Sequence, residues 1–189
     1  RSTGQEDPKL REIGRRDFMN FRSMEAELLG HDVALFCLGA YTGTVPDAEF
    51  RRVTVDYTAA FAEAFFSASP LASFCFLSGQ GADRKEKSRV AFARYKGMAE
   101  NALLEVGFPR VHIFRPGYIY PSKPRDEPNL TYRLMRPLFP VFRRIYPNIG
   151  ITSEDLARAM LQAGLSGTPG RASPILENRD IRRFLGGPT

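Results

Sequence analysis

The side chains with the clearest chemical capacity in this 189-residue chain are Lys96, Ser78 and the stretch that follows Arg115. Lys96 stands in the helical run 88–106, closed by Gly107 and Pro109, and carries three N–H donors. Tyr95 is its chain neighbour, about 100° away round a helix, and should pack elsewhere. Position 92 precedes the lysine by four residues on the same helix face, and it carries phenylalanine, which has no ionisable proton. Ser78 ends the apolar run 73–77 and opens a Ser78-Gly79 turn. Its hydroxyl can satisfy a buried turn. Arg115-Pro116-Gly117-Tyr118-Ile119 ends a further apolar run at 111–114. The 2 cysteines, Cys37 and Cys75, lie inside apolar runs and read as buried core thiols, not as a disulfide or a metal pair. No metal site is expected.

The elements that must position these groups alternate along the chain. Residues 13–16 suggest a short strand leading into Asp17-Phe18, and 19–29 a short helix closed by Gly30. The nearly continuous apolar run 32–38, ending at Gly39, predicts a strand buried on both faces of a parallel sheet. A long helix is expected over 47–67, with Phe50, Val53, Tyr57, Phe61 and Phe65 at helical spacing. Strand 73–77, helix 88–106 and strand 111–114 follow. After Pro121 comes a Pro-rich charged loop, then 130–146, an amphipathic helix broken by Pro137 and Pro140. Thr152 or Ser153 caps the next helix, with acidic residues in its first turn. The chain closes with a strand at 173–176 and a helix at 178–185. Strands separated by helices imply a doubly wound parallel sheet with helices on both faces, and ligands in such sheets gather beyond the carboxyl ends of the strands. Gly39, Ser78 and residues 115–118 all fall there.

Composition bounds the function. With 43% hydrophobic and 25% charged residues, the chain can bury one core and reads as a single domain over 1–189, in which 121–150 forms a substrate-side loop and broken helix. The net charge of +6 is spread over several segments, and no zinc-finger, helix-turn-helix or RNA-recognition pattern accompanies it. Nucleic acid is therefore the disfavoured partner, and a solvated basic surface with a pocket for an anionic phosphate cofactor the favoured one. No apolar run reaches the roughly 20 residues of a membrane-spanning helix, and no signal peptide is evident. The expected location is cytoplasmic.

Together, His31-Asp32-Val33 through Leu38-Gly39, Val53-Thr54-Val55-Asp56-Tyr57, Leu77-Ser78-Gly79-Gln80-Gly81-Ala82-Asp83, Lys96-Gly97-Met98-Ala99-Glu100 and Phe114-Arg115-Pro116-Gly117 resemble an atypical or extended short-chain dehydrogenase/reductase. The kind they resemble is NAD(P)-binding and epimerase-like, close to the Tat-interacting oxidoreductase-like subgroup. The resemblance implies a Rossmann-like fold and an NADP cofactor, with NAD as the alternative. It implies that Arg1 and Ser2 are the remnant of an adenosine phosphate site, a guanidinium being suited to phosphate, with a flexible terminal arginine as the competing reading. Asp17 and Phe18 would border the adenine, Asp17 serving equally as a helix N-cap. Leu38, Gly39 and Ala40 would pass the ribose, Lys96 would hydrogen-bond the nicotinamide ribose, and Pro116, Gly117, Tyr118 and Ile119 would line the nicotinamide pocket. Ser78 would polarise a substrate carbonyl.

The resemblance also implies two departures. Such reductases place a tyrosine where Phe92 stands, and the lysine lowers its pKa so that it exchanges a proton with the substrate. They also carry a glycine-rich strand-to-helix turn that holds the pyrophosphate, and no such turn occurs near Arg1. The expectation is that a segment preceding Arg1 supplies it. The implied function is an NAD(P)(H)-binding, reductase-type protein acting on a small carbonyl, with altered or weak catalysis. The alternative is a non-catalytic dinucleotide-sensing or protein-interaction module, in which the basic helix 130–146 engages a homodimer mate or another protein. Lys123 and Arg125 are expected to be solvated charges.

Overall fold

The computed structural model describes residues 4, 7–121 and 147–186. Its centre is a four-stranded parallel sheet of β1 (Val33–Phe36), β2 (Ser73–Leu77), β3 (Arg110–Arg115) and β6 (Ile175–Glu177), in the spatial order β1-β2-β3-β6. The register aligns Ala34 with Phe74 and Phe74 with Val111. A second, two-stranded parallel sheet joins β4 (Tyr118–Tyr120) to β5 (Gly150–Thr152).

Helices cover both faces because the strands bury both sets of alternating side chains. On one face Phe36, Phe74, Phe76 and Ile113 pack against α1 (Glu25–Leu28), α3 (Tyr57–Ala68) and α4 (Ala91–Glu105) through Leu28, Phe65, Ala99 and Leu103. Phenylalanine dominates this layer: Phe74 lies 5.1 Å from Phe108 and 6.1 Å from Phe61, ring centre to ring centre. Each such side chain, fully buried, contributes about 1.5–3 kcal/mol. On the other face Cys75, Phe114 and Leu176 pack against α5 (Ser153–Ser166) and α6 (Asn178–Phe184) through Leu156, Met160, Ala163 and Ile181.

The expected helix over 47–67 is continuous but not uniform. It begins as α2 (Asp47–Arg51), widens into a π-helical turn (Arg52–Asp56) and resumes as α3. The helix predicted at 88–106 is α4, and the strand predicted at 73–77 matches β2 residue for residue. Thr152 caps α5 as expected, its hydroxyl accepting from the Asp155 amide at 3.1 Å.

Three expectations need correcting. Residues 13–16 form no strand: they are mostly exposed coil, and no strand among the described residues pairs with them to complete their backbone hydrogen bonds. The short helix at 19–29 is a 3-10 turn (Arg22–Met24) followed by the single turn of α1, and Gly30 at φ 74° closes it. Burial of β1 on both faces also fails, since Leu35 is 45% exposed and Cys37 is exposed. The reason is position: β1 is the outermost strand of its sheet, and no described strand pairs with its other edge. Cys75 alone is the buried thiol expected, donating to the Met160 carbonyl at 3.4 Å. The loop and broken helix expected at 122–146, with Lys123 and Arg125, lie outside the described residues, as do Arg1 and Ser2.

Candidate functional site

A pocket of about 660 Å³ opens at the carboxyl ends of β1, β2 and β3. Its walls are the segments that leave those strands: Leu38, Gly39 and Ala40 after β1, Ser78 and Gly79 after β2, and after β3 the turn at Pro116 and Gly117 with Tyr118 and Ile119 of β4. Phe92 and Lys96 reach it from α4, and Leu156 and Met160 close it from α5.

Lys96 is the only charged residue among the described residues of the lining. It is 8% exposed; its Nζ donates to the Leu77 carbonyl at 2.8 Å and lies 4.8 Å from the centre of the Phe76 ring. Burial pushes the Lys96 ammonium down to a pKa of about 8, against the opposing pull of Glu100 and Cys37.

Behind this wall a buried ionic network fixes the turns. Glu100, four residues after Lys96 on α4, has no exposed surface. Its carboxylate accepts from Ser78 Oγ at 2.5 Å, and from Arg115 Nε at 2.8 Å and Nη2 at 2.5 Å. Arg115 also bridges to Glu177 on β6 at 3.0 Å. Hydrogen bonding to Glu100 holds the guanidinium above its ordinary pKa. Glu100 thus ties the ends of β2 and β3 to α4, and Arg115 carries the link on to β6 through Glu177. The Ser78 hydroxyl is thereby engaged as a donor to α4. The turn after β3 is pinned further by Asn178 Oδ1, which accepts from the Gly117 amide at 3.0 Å, and by the Pro116 carbonyl, which accepts from the Gln80 amide at 3.0 Å.

Phe92 stands with its ring tip against Gly79: a Cβ on that glycine would lie 2.4 Å from Phe92 Cζ. Tyr95 points away as expected, its hydroxyl donating to Asp47 at 2.6 Å and its ring packing 5.9 Å from Phe50. The structure brings Leu38, Gly39, Ala40, Ser78, Lys96, Pro116, Gly117, Tyr118 and Ile119 to one pocket. It does not bring Asp17 and Phe18 into that wall: Asp17 accepts from the Met19 amide at 2.8 Å, and Phe18 stacks on Tyr57 at 5.5 Å.

Sequence reasoning missed the Glu100–Arg115–Glu177 network. The available signal was Glu100 itself, a carboxylate on the helix face that also carries Lys96 and that must find donors if buried. It also missed Cys37 as a pocket residue. His112 escaped notice too: it is 5% exposed, and neither ring nitrogen has a hydrogen-bond partner among the described residues.

Helices on both faces of a parallel sheet, with a pocket at the strand ends, define a Rossmann-like α/β protein. The comparison with solved structures agrees: the crystal structure of gox2253 superposes with a TM-score of 0.60 at 16% identity, over 92% of this chain and 61% of that one. In sequence, the chain is 31% identical over 112 residues to Protein HTATIP2 of Rattus norvegicus. That match takes in 59% of this chain and spans 45% of the length of the relative. No family model matches the chain.

Proposed function

We propose that this chain is an NAD(P)(H)-binding protein of the short-chain dehydrogenase/reductase type, and that its pocket receives the nicotinamide end of the cofactor. The observation that carries this reading is Lys96, a buried ammonium set among the turns after β1, β2 and β3. There it would donate to the ribose hydroxyls, while Leu38, Gly39 and Ala40 pass the sugar and Pro116 to Ile119 flank the ring. The partial likeness to rat HTATIP2 supports the same reading. NADP is the favoured cofactor, on the chain's basic balance. The bound cofactor would supply hydride chemistry toward a small carbonyl; the protein's own contribution would be to hold the ribose and exclude water with its apolar lining.

Catalysis is weak or altered in this reading because position 92 has no phenol and the Ser78 hydroxyl is held by Glu100. Those two observations favour, as the second reading, a dinucleotide sensor without turnover. Titration of the purified chain with NADPH, followed by cofactor fluorescence, tests the first step. Saturable enhancement is expected, weakened at least tenfold by Lys96→Met. Turnover on a panel of aldehydes and ketones then separates reductase from sensor. No binding of either NADPH or NADH would overturn both.

A further inference from the structure

Lys96 has a second capacity that ribose binding does not use. Its amine sits in a wall built otherwise of uncharged groups, with Leu77, Phe92, Ile119, Leu156 and Met160 among its apolar members. The Leu77 carbonyl takes one N–H of Nζ. Glu100, four residues on along α4, already accepts three hydrogen bonds from Ser78 and Arg115, and no hydrogen bond joins it to Lys96 among those of the described residues. We propose that Lys96 is a carbonyl-capturing amine, condensing with a small aldehyde whose substituent is uncharged and apolar or aromatic.

The step balances without a redox partner. The Nζ lone pair attacks the aldehyde carbon and forms the C–N bond. The carbonyl oxygen then departs as water with the two protons lost from nitrogen, leaving a neutral imine. Burial aids it twice: a pKa of about 8 leaves much of the amine neutral near that pH, and a largely apolar wall favours an uncharged product over an ammonium. Lys85 and Lys87 are exposed and line no part of this pocket. The lining has no second charge among its described residues to hold a carboxylate-bearing aldehyde. This inference does not require the dinucleotide reading, and one experiment separates the two.

The folded chain is treated at pH 8 with benzaldehyde and cyanoborohydride, which reduces any imine to a stable benzylamine, and the labelled lysines are mapped by peptide mass spectrometry. Lys96 is expected to be labelled at least about tenfold faster than Lys85 and Lys87, as its place in the wall of a pocket that collects an apolar aldehyde requires. The preference should vanish in urea, and with 4-carboxybenzaldehyde. Labelling of Lys96 no faster than of the exposed lysines would overturn the proposal. Equal preference for both aldehydes would overturn its apolar specificity. Saturating NADPH should protect Lys96; a preference for Lys96 that NADPH leaves untouched would uphold the amine and count against the dinucleotide.

Discussion

Glu100 is a carboxylate without exposed surface that survives in the core because three donor atoms, one from Ser78 and two from Arg115, converge on it. Removing one partner of such a pair leaves a buried charge uncompensated, at a cost of about 3–5 kcal/mol. Arg115→Met should therefore lower the free energy of unfolding by about that much in urea titrations. Arg115→Lys should restore only part of the loss, because an ammonium cannot make the paired contact of a guanidinium. A loss under about 1 kcal/mol would mean that Glu100 finds other donors or water once the guanidinium is gone. At position 92 the consequence is catalytic. Phe92→Tyr would place a phenol on the helix face of Lys96, where the ammonium lowers its pKa and lets it donate to a carbonyl oxygen. General acid catalysis of this kind contributes about 10²–10⁴-fold, so NADPH oxidation with an accepted carbonyl should rise by at least about 10². The ring tip already touches Gly79, so the added hydroxyl should also cost about 1–3 kcal/mol of stability. Retained NADPH binding with no gain in turnover would exclude this placement of the nicotinamide.

Between elements, contacts of backbone on backbone fix the pocket. Gly97 lies on α4 where a Cβ would come within 1.9 Å of the Asp83 carbonyl oxygen and 2.7 Å of the Arg84 amide nitrogen. The loop after β2 thus rests directly on the helix, and the Asp83 carboxylate braces it by accepting from the Lys85, Lys87 and Ser88 amides. Helix propensity alone would make Gly97→Ala stabilising by about 1 kcal/mol. The clash reverses the sign: a net loss of about 1–3 kcal/mol is expected in thermal or urea unfolding. An unchanged or raised Tm would show that the loop is free to lift from α4. The same scale explains what the sequence disclosed. Strand β2 was legible to the residue because it is buried on nearly every position and bounded by Ser73 and the Ser78-Gly79 turn. Strands β4 and β5 were not, since three residues carry too little periodicity and their pairing depends on a partner about thirty residues away. Residues 13–16 misled for the converse reason: an apolar-and-polar pattern makes a strand only when a neighbour completes its ladder.

For the molecule as a whole, two apolar layers on opposite faces of one sheet determine which polar groups are sheltered. The pocket was legible in the turns after β1, β2 and β3 and in Lys96, because those features are local in sequence. The Glu100–Arg115–Glu177 network was not, because only the folded sheet brings its members together from α4, β3 and β6. His112 belongs to the same class. Strand alternation puts it on the face of Phe114, beneath α5 and α6, with Cys75 opposite it in register and Arg110 two residues back on the same face. Burial, aided by the positive charge of Arg110, holds its pKa below the ordinary 6.5. Above that value the ring is neutral whether the chain is folded or not, and the full stability is present. As pH falls through about 6.5, the unfolded chain binds a proton that the folded one refuses, so stability declines, at most by about 1.4 kcal/mol per pH unit for one site. Urea unfolding of the wild type and of His112→Phe at pH 7.5, 6.5 and 5.5 isolates this contribution from the carboxylates, which titrate in both. The wild type should lose stability relative to the variant on acidification. A difference that stays constant across that range would mean that the buried imidazole accepts its proton as readily in the folded sheet as in the open chain.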